Sequence, residues 1–147
     1  MDRVIGEEFI KNDGSKITAE QILEAECVVL YFSALWAPPS LELDKDLVEF
    51  CNEVNQGSSK KKIEVIFISC DNKEEEFNEH FEALPFTAIP FEAHKIAHFE
   101  DLFEASSIPK LLLLKRNGMV SPANIRTLIK TKGIEAMADF KILANEE

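Results

Sequence analysis

Cysteine is scarce in this chain: Cys27, Cys51 and Cys70 are the only three among 147 residues, and no two form a C-x-x-C pair. An odd count without paired spacing suggests neither a disulfide framework nor a zinc site, and it fits a reducing compartment. Basic residues are also few, 16 Lys and Arg against 27 Asp and Glu, for a net charge of −11. An acidic surface repels phosphate backbones and anionic headgroups, which argues against nucleic-acid and membrane-surface partners. Long hydrophobic runs are missing too, since the longest, near Cys27 to Pro39, is short and ends in prolines. Met1 to Glu8 lack the apolar core of a secretory signal, so an intracellular, cytoplasmic protein is expected. Repeats, low-complexity segments and long linkers are absent, and 1–147 reads as a single domain.

What the chain does have is a composition able to bury a core, 46% hydrophobic with 29% charged residues. Val28 to Phe32 is a continuous β-branched and aromatic run, the pattern of a strand covered on both faces. Lys62 to Ser69 and Pro109 to Leu114 read the same way. Between the first two, Leu43, Leu47, Cys51 and Val54 keep helical spacing ahead of Gln56-Gly57, predicting a crossover helix. A second helix carries Phe77, Phe81 and Leu84 on one face, with Asp71 or Asn72 as its cap and Pro85 as its stop. A third is expected around Ile96, Phe99, Leu102 and Phe103. A last one is expected from Ser121 as N-cap and Pro122 at the first position, through Ile125, Leu128 and Ile129, to Gly133. Asn117-Gly118 is a hairpin turn signal that adds an antiparallel edge strand at Met119-Val120. Strands alternating with helices predict an α/β domain with a mixed sheet flanked by helices.

The informative segment is Tyr31-Phe32-Ser33-Ala34-Leu35-Trp36-Ala37-Pro38-Pro39-Ser40, which runs from a strand end into a helix, where open α/β sheets place their sites. It resembles the Y-F-S-A-x-W-C-P-P-C motif of the thioredoxin superfamily, in the form found in tryparedoxins and nucleoredoxins. Glu64 to Asp71, Glu75 to Phe81, Ala88 to Glu92, Leu102-Phe103 and Ser107 to Pro109 continue the similarity, from about Phe9 to Phe140. The resemblance implies a thioredoxin-like fold, a role in cell redox homeostasis and thiol–disulfide exchange by two cysteines. The first cysteine attacks as a thiolate and the second resolves the mixed disulfide. Ala37 and Ser40 stand at those two positions, so neither step carries over.

Relatives usually place a basic residue after the second cysteine, a Thr-Pro pair soon after, and threonine after a cis-proline. Leu41, Asp44-Lys45 and Lys110 stand here instead. Divergence this distributed favours a natural, redox-inactive member that binds protein or extended peptide partners. The alternative is a tryparedoxin-like thiol–disulfide oxidoreductase whose cysteines at 37 and 40 have been substituted. Pro109 matches the family's cis-proline, and with Trp36, Pro38, Pro39 and Ile108 it would form an apolar partner-binding face offering strand-like backbone pairing.

Cys70 ends a strand at the same edge and is a candidate redox-sensitive thiol, although most lone cysteines are small core residues, the reading given to Cys27 and Cys51. His94 and His98 have i, i+4 spacing but no further ligand, so no metal site is expected. The resemblance implies no cofactor. Glu74 to Glu76 and Lys60 to Lys62 read as solvated element ends. Tyr31 stands where thioredoxins bury a proton-handling aspartate, and it supplies no replacement acid.

Overall fold

The structure is a computed structural model, and it describes residues 9–11, 13–35, 37–56, 62–71, 73–90, 108–116, 120–121 and 123–145. Six strands form one sheet in the order β2-β1-β5-β4-β3-β6: β1 Phe9–Lys11, β2 Lys16–Ile17, β3 Cys27–Ser33, β4 Ile63–Ser69, β5 Thr87–Ala88 and β6 Lys110–Leu114. The helices are α1 Ala19–Ile22, α2 Pro38–Asn55, α3 Glu74–Glu82, α4 Ile125–Lys132 and α5 Ala136–Ala144, with a 3₁₀ turn at Gly133–Glu135. β3 runs parallel to β4 over seven pairs and antiparallel to β6, giving the mixed sheet expected.

Every residue of β3 and β4 is buried, because helices and loops cover both faces of the sheet. Alternation along the strands divides the core in two. Val29, Tyr31, Val65, Phe67, Leu111 and Leu113 face α2, α3, α4 and α5, while Val28, Leu30, Phe32, Ile66, Ile68 and Leu112 pack with Phe9 and Ile22 on the other side. The crossover helix α2 buries Ser40, Leu43, Asp44, Leu47, Phe50, Cys51 and Val54, a stripe with helical period. α3 stacks Phe77 and Phe81 on Phe67, with ring centroids 6.0 Å away in each case.

Several boundaries differ from expectation. Lys73, not Asp71 or Asn72, precedes the first turn of α3, because the Asp71 side chain is engaged elsewhere. α4 starts at Ile125 with Asn124 as its cap, three residues later than the Ser121–Pro122 reading. Ser121 Oγ accepts instead from the Ala123 N–H at 3.3 Å. Gly133 does end α4, with φ +58, but the chain continues into α5, so α4 is not the last helix. A Leu114–Val120 antiparallel bridge brings the chain back along β6. The turn at Asn117-Gly118 lies outside the described residues, as do the helix expected around Ile96 to Phe103, His94 and His98. No helix among the described residues is long and apolar enough to cross a membrane.

Candidate functional site

The segment singled out by its motif lies where β3 hands over to α2. Ala37 occupies the N-cap with extended backbone, φ −106 and ψ 104, and Pro38 takes the first helical position, where its missing N–H leaves no hydrogen bond unmade. The turn is held by the Ala37 N–H donating to the Ala34 carbonyl at 3.3 Å and the Ser40 N–H donating to the Ala37 carbonyl at 2.9 Å. Ala37 is 6% exposed and Ser40 fully buried, its hydroxyl accepting from the Ala34 N–H at 3.4 Å. Pro38 and Pro39 face solvent.

Two further strands end beside this turn. The parallel ladder closes at Ser33–Ser69, after which the Cys70 N–H donates to the Ser33 carbonyl at 2.8 Å and its side chain is half-buried. On the other flank the β6 ladder stops at Phe32–Lys110. Continuing that antiparallel register sets Pro109 opposite Ser33 and Ile108 opposite Ala34, and the Ile108–Pro109 bond is cis. Ile108, Pro109 and Lys110 are all half-buried. The structure therefore brings Ala37, Ser40, Cys70, Ile108 and Pro109 to one sheet edge, while Trp36 lies outside the described residues.

Beneath the turn is a polar cluster inside the larger core. The Tyr31 hydroxyl donates to Asp44 Oδ1 and lies 3.1 Å from the Ser40 carbonyl, and Ser33 Oγ donates to the same Asp44 oxygen at 3.1 Å. His80 Nε2 is 2.6 Å from Asp44 Oδ2, and His80 Nδ1 is 3.2 Å from Asp71 Oδ2. Asp71 Oδ1 accepts from the Leu35 N–H at 2.6 Å, and Asp71 Oδ2 accepts from Ser69 Oγ at 2.5 Å. Burial draws the His80 pKa down, but hydrogen bonds to Asp44 and Asp71 and the charges of both carry it up to about 9. Burial pushes the Asp71 carboxyl up, yet donors from His80, Ser69 and Leu35 and the imidazolium charge leave it below the ordinary value. Tyr31 is raised, first by burial and then by the Asp44 charge.

Against this geometry, a family model described as thioredoxin-like matches residues 25–120. The chain belongs to that thioredoxin-like family. Its curated relatives include probable nucleoredoxin 1 of Arabidopsis thaliana, 32% identical over 129 residues that make 87% of this chain and 22% of the relative. Nucleoredoxin of Homo sapiens is 33% identical over 119 residues, 80% of this chain and 26% of that one. The chain thus spans about a quarter of the length of the curated relatives it matches. Among solved structures, native tryparedoxin I from Crithidia fasciculata superposes with a TM-score of 0.79 at 26% identity, covering 90% of this chain and 92% of that one. Tryparedoxin II from the same organism gives 0.76 at 29% identity, with coverage of 89% and 84%.

Within this thioredoxin-like chain the Tyr31 hydroxyl meets the Asp44 carboxylate, which α2 delivers from the next element. Asp44, Asp71 and His80 were missed as a set because they lie far apart in sequence. A signal for two of them was present: Asp44 falls on the buried stripe Ser40, Asp44, Leu47, Cys51, and His80 falls on the stripe Phe77, His80, Phe81, Leu84. Ionisable residues on the apolar faces of neighbouring helices need partners, and each other is the nearest supply. Cys27 and Cys51 are buried as expected, with burial pushing the Cys27 thiol up to about 11. Ala37 offers no nucleophilic atom, and the Ser40 hydroxyl points inward to backbone.

Proposed function

We propose that this thioredoxin-like chain binds an extended segment of a partner protein across the face made by Trp36, Pro38, Pro39, Ile108 and Pro109, without thiol–disulfide exchange at positions 37 and 40. The observation that carries this reading is Ala37 at the N-cap of α2. A sulfur there would sit at the positive end of a helix, where thiolates are favoured, and the chain has a methyl group instead. Binding keeps its support where chemistry loses it. The prolines at 38 and 39 are exposed, and the β6 ladder ends before Pro109, so an extended segment can align with the backbone at Ile108. In this reading the chain recognises partners as redox relatives hold their substrates, and release needs no electron transfer.

The test pairs two measurements. In reduction of a disulfide-containing protein by dithiothreitol, this chain adds nothing to the uncatalysed rate. The Ala37→Cys, Ser40→Cys variant reports whether the scaffold still suits redox work: activity there means that the site lost little besides its thiols. In affinity capture, partners retained by the chain are lost from a folded Trp36→Ala, Pro109→Ala variant. Turnover by the unaltered chain, or a partner set indifferent to that double change, refutes the reading.

A further inference from the structure

Two carboxylates and an imidazole lie under the turn, and the binding reading gives them no part. His80 is 2% exposed on α3, between Asp44 of α2 and Asp71 just past β4, with a ring nitrogen directed at each. A neutral imidazole has one N–H and donates to one acceptor, so two ionised carboxylates on its two nitrogens require the doubly protonated ring. Each carboxylate carries the contact onward. Asp71 holds the Leu35 N–H at 2.6 Å, on one side of the turn, and Asp44 accepts from the Tyr31 hydroxyl, which lies 3.1 Å from the Ser40 carbonyl on the other side. One side chain therefore contacts both carboxylates, and through them the contacts reach Leu35 at one end and Ser40 at the other.

We propose that His80 is a positioning residue for the candidate face, its imidazolium holding Asp71 against Leu35 and Asp44 beneath Ser40 so that the intervening turn keeps one shape. The idea deepens the binding reading and rests on it for its use, but the mechanical link is independent of any partner. Loss of the proton leaves a ring that donates to one carboxylate and turns a lone pair on the other, and that second carboxylate is left buried one donor short. Its retained contacts then shift, and the Leu35 or the Ser40 end of the turn moves with them.

The surroundings set where this happens. From β3, Tyr31 and Ser33 reach the ring only through Asp44; from the end of β4 come Asp71 and Ser69, and the Phe67 ring lies edge-on with centroids 4.8 Å apart. Arg126 of α4 bears on Tyr31, and half-buried Glu76 stands one turn before His80 on its own helix. Tyr31 stays protonated far beyond the range in which His80, with its pKa of about 9, gives up its proton.

Trp36 is the one tryptophan of the chain and stands between Leu35 and Ser40 in the sequence, so its fluorescence is the probe. Emission of the full chain is followed from about pH 6 to about pH 10, spanning ordinary and raised histidine values. The chain, His80→Gln and Cys70→Ser are compared, with far-UV circular dichroism recorded alongside. The expected result is a step near pH 9 in the chain and in Cys70→Ser, absent from His80→Gln, with the helical signal constant. A flat profile, a step that survives His80→Gln, a step lost with Cys70, or one that coincides with loss of helix overturns the proposal. Should His80→Gln not fold, proton NMR of the unaltered chain decides: the His80 ring must titrate together with the Leu35 amide near pH 9, and titration near the ordinary 6.5 overturns it. Partner capture by Trp36→Ala, Pro109→Ala is a separate readout, so the binding reading and the His80 proposal can fail independently.

Discussion

Tyr31 shows how far one hydroxyl reaches in this core. It is fully buried, packs edge-on against Phe86 at 6.4 Å between centroids, and donates a hydrogen bond to Asp44, which also accepts from Ser33 and His80. Replacing Tyr31 with Phe keeps the ring and its packing but leaves a buried carboxylate one donor short, a change worth about 1–3 kcal/mol. The urea midpoint should fall accordingly with the slope unchanged, and an unaltered midpoint would mean that Ser33 and His80 satisfy Asp44 alone. At this scale the sequence was half legible. The motif located Ala37, Ser40, Ile108 and Pro109 because contiguous residues carry it. The Asp44–His80–Asp71 set is assembled only by the crossover helix and α3 packing on one strand pair, and no spacing in the chain encodes their meeting.

The elements that periodicity announces are the long ones. β3, β4 and α2 each hold seven or more residues, enough for an apolar run or stripe to show. β1, β2 and β5 have three, two and two residues and depend on their neighbours for pairing, so they gave no signal of their own. α1 is only four residues long, although Thr18 and Gln21 cap each other reciprocally, the Gln21 N–H donating to Thr18 Oγ1 at 3.2 Å and the Thr18 N–H to Gln21 Oε1 at 2.9 Å. In α4 the cap expected at Ser121 lies three residues too early, and the side chain that accepts a helical N–H marks the start. Asn124 Oδ1 accepts from the Thr127 N–H at 3.1 Å. Asn124→Ala should therefore cost about 1 kcal/mol in chemical denaturation, whereas Ser121→Ala, were Ser121 the cap, would carry that loss instead. α5 escaped notice because Gly133, which does end α4, looked like the end of helical structure altogether. A positive-φ residue turns the chain, and Ala136, Met137, Phe140 and Ala144 resume burial directly afterwards.

For the whole molecule, His80 in the buried cluster ties stability to pH in a direction opposite to that of ordinary carboxylate pairs. His80 holds its proton up to about pH 9 in the fold and releases it near the ordinary 6.5 when unfolded, so its contribution is complete below about 6.5 and vanishes as pH rises through about 9. Asp71 works the other way, its contribution present above the ordinary 3.8 and lost only as pH falls through its lower folded value. Together they favour the fold most between about pH 4 and about pH 6.5, on the acid side of neutrality. The His80 part is worth on the order of 3 kcal/mol. A chain carrying −11 would ordinarily gain from salt at alkaline pH through screening of surface repulsion. Screening does not reach a carboxylate buried one donor short, so the alkaline decline should persist at high salt. Denaturation curves for the chain and His80→Gln at a series of pH values check this: the gap between them should be widest near pH 6 and close by about pH 10. A gap independent of pH would show that His80 binds its proton no more tightly in the fold than in the unfolded chain.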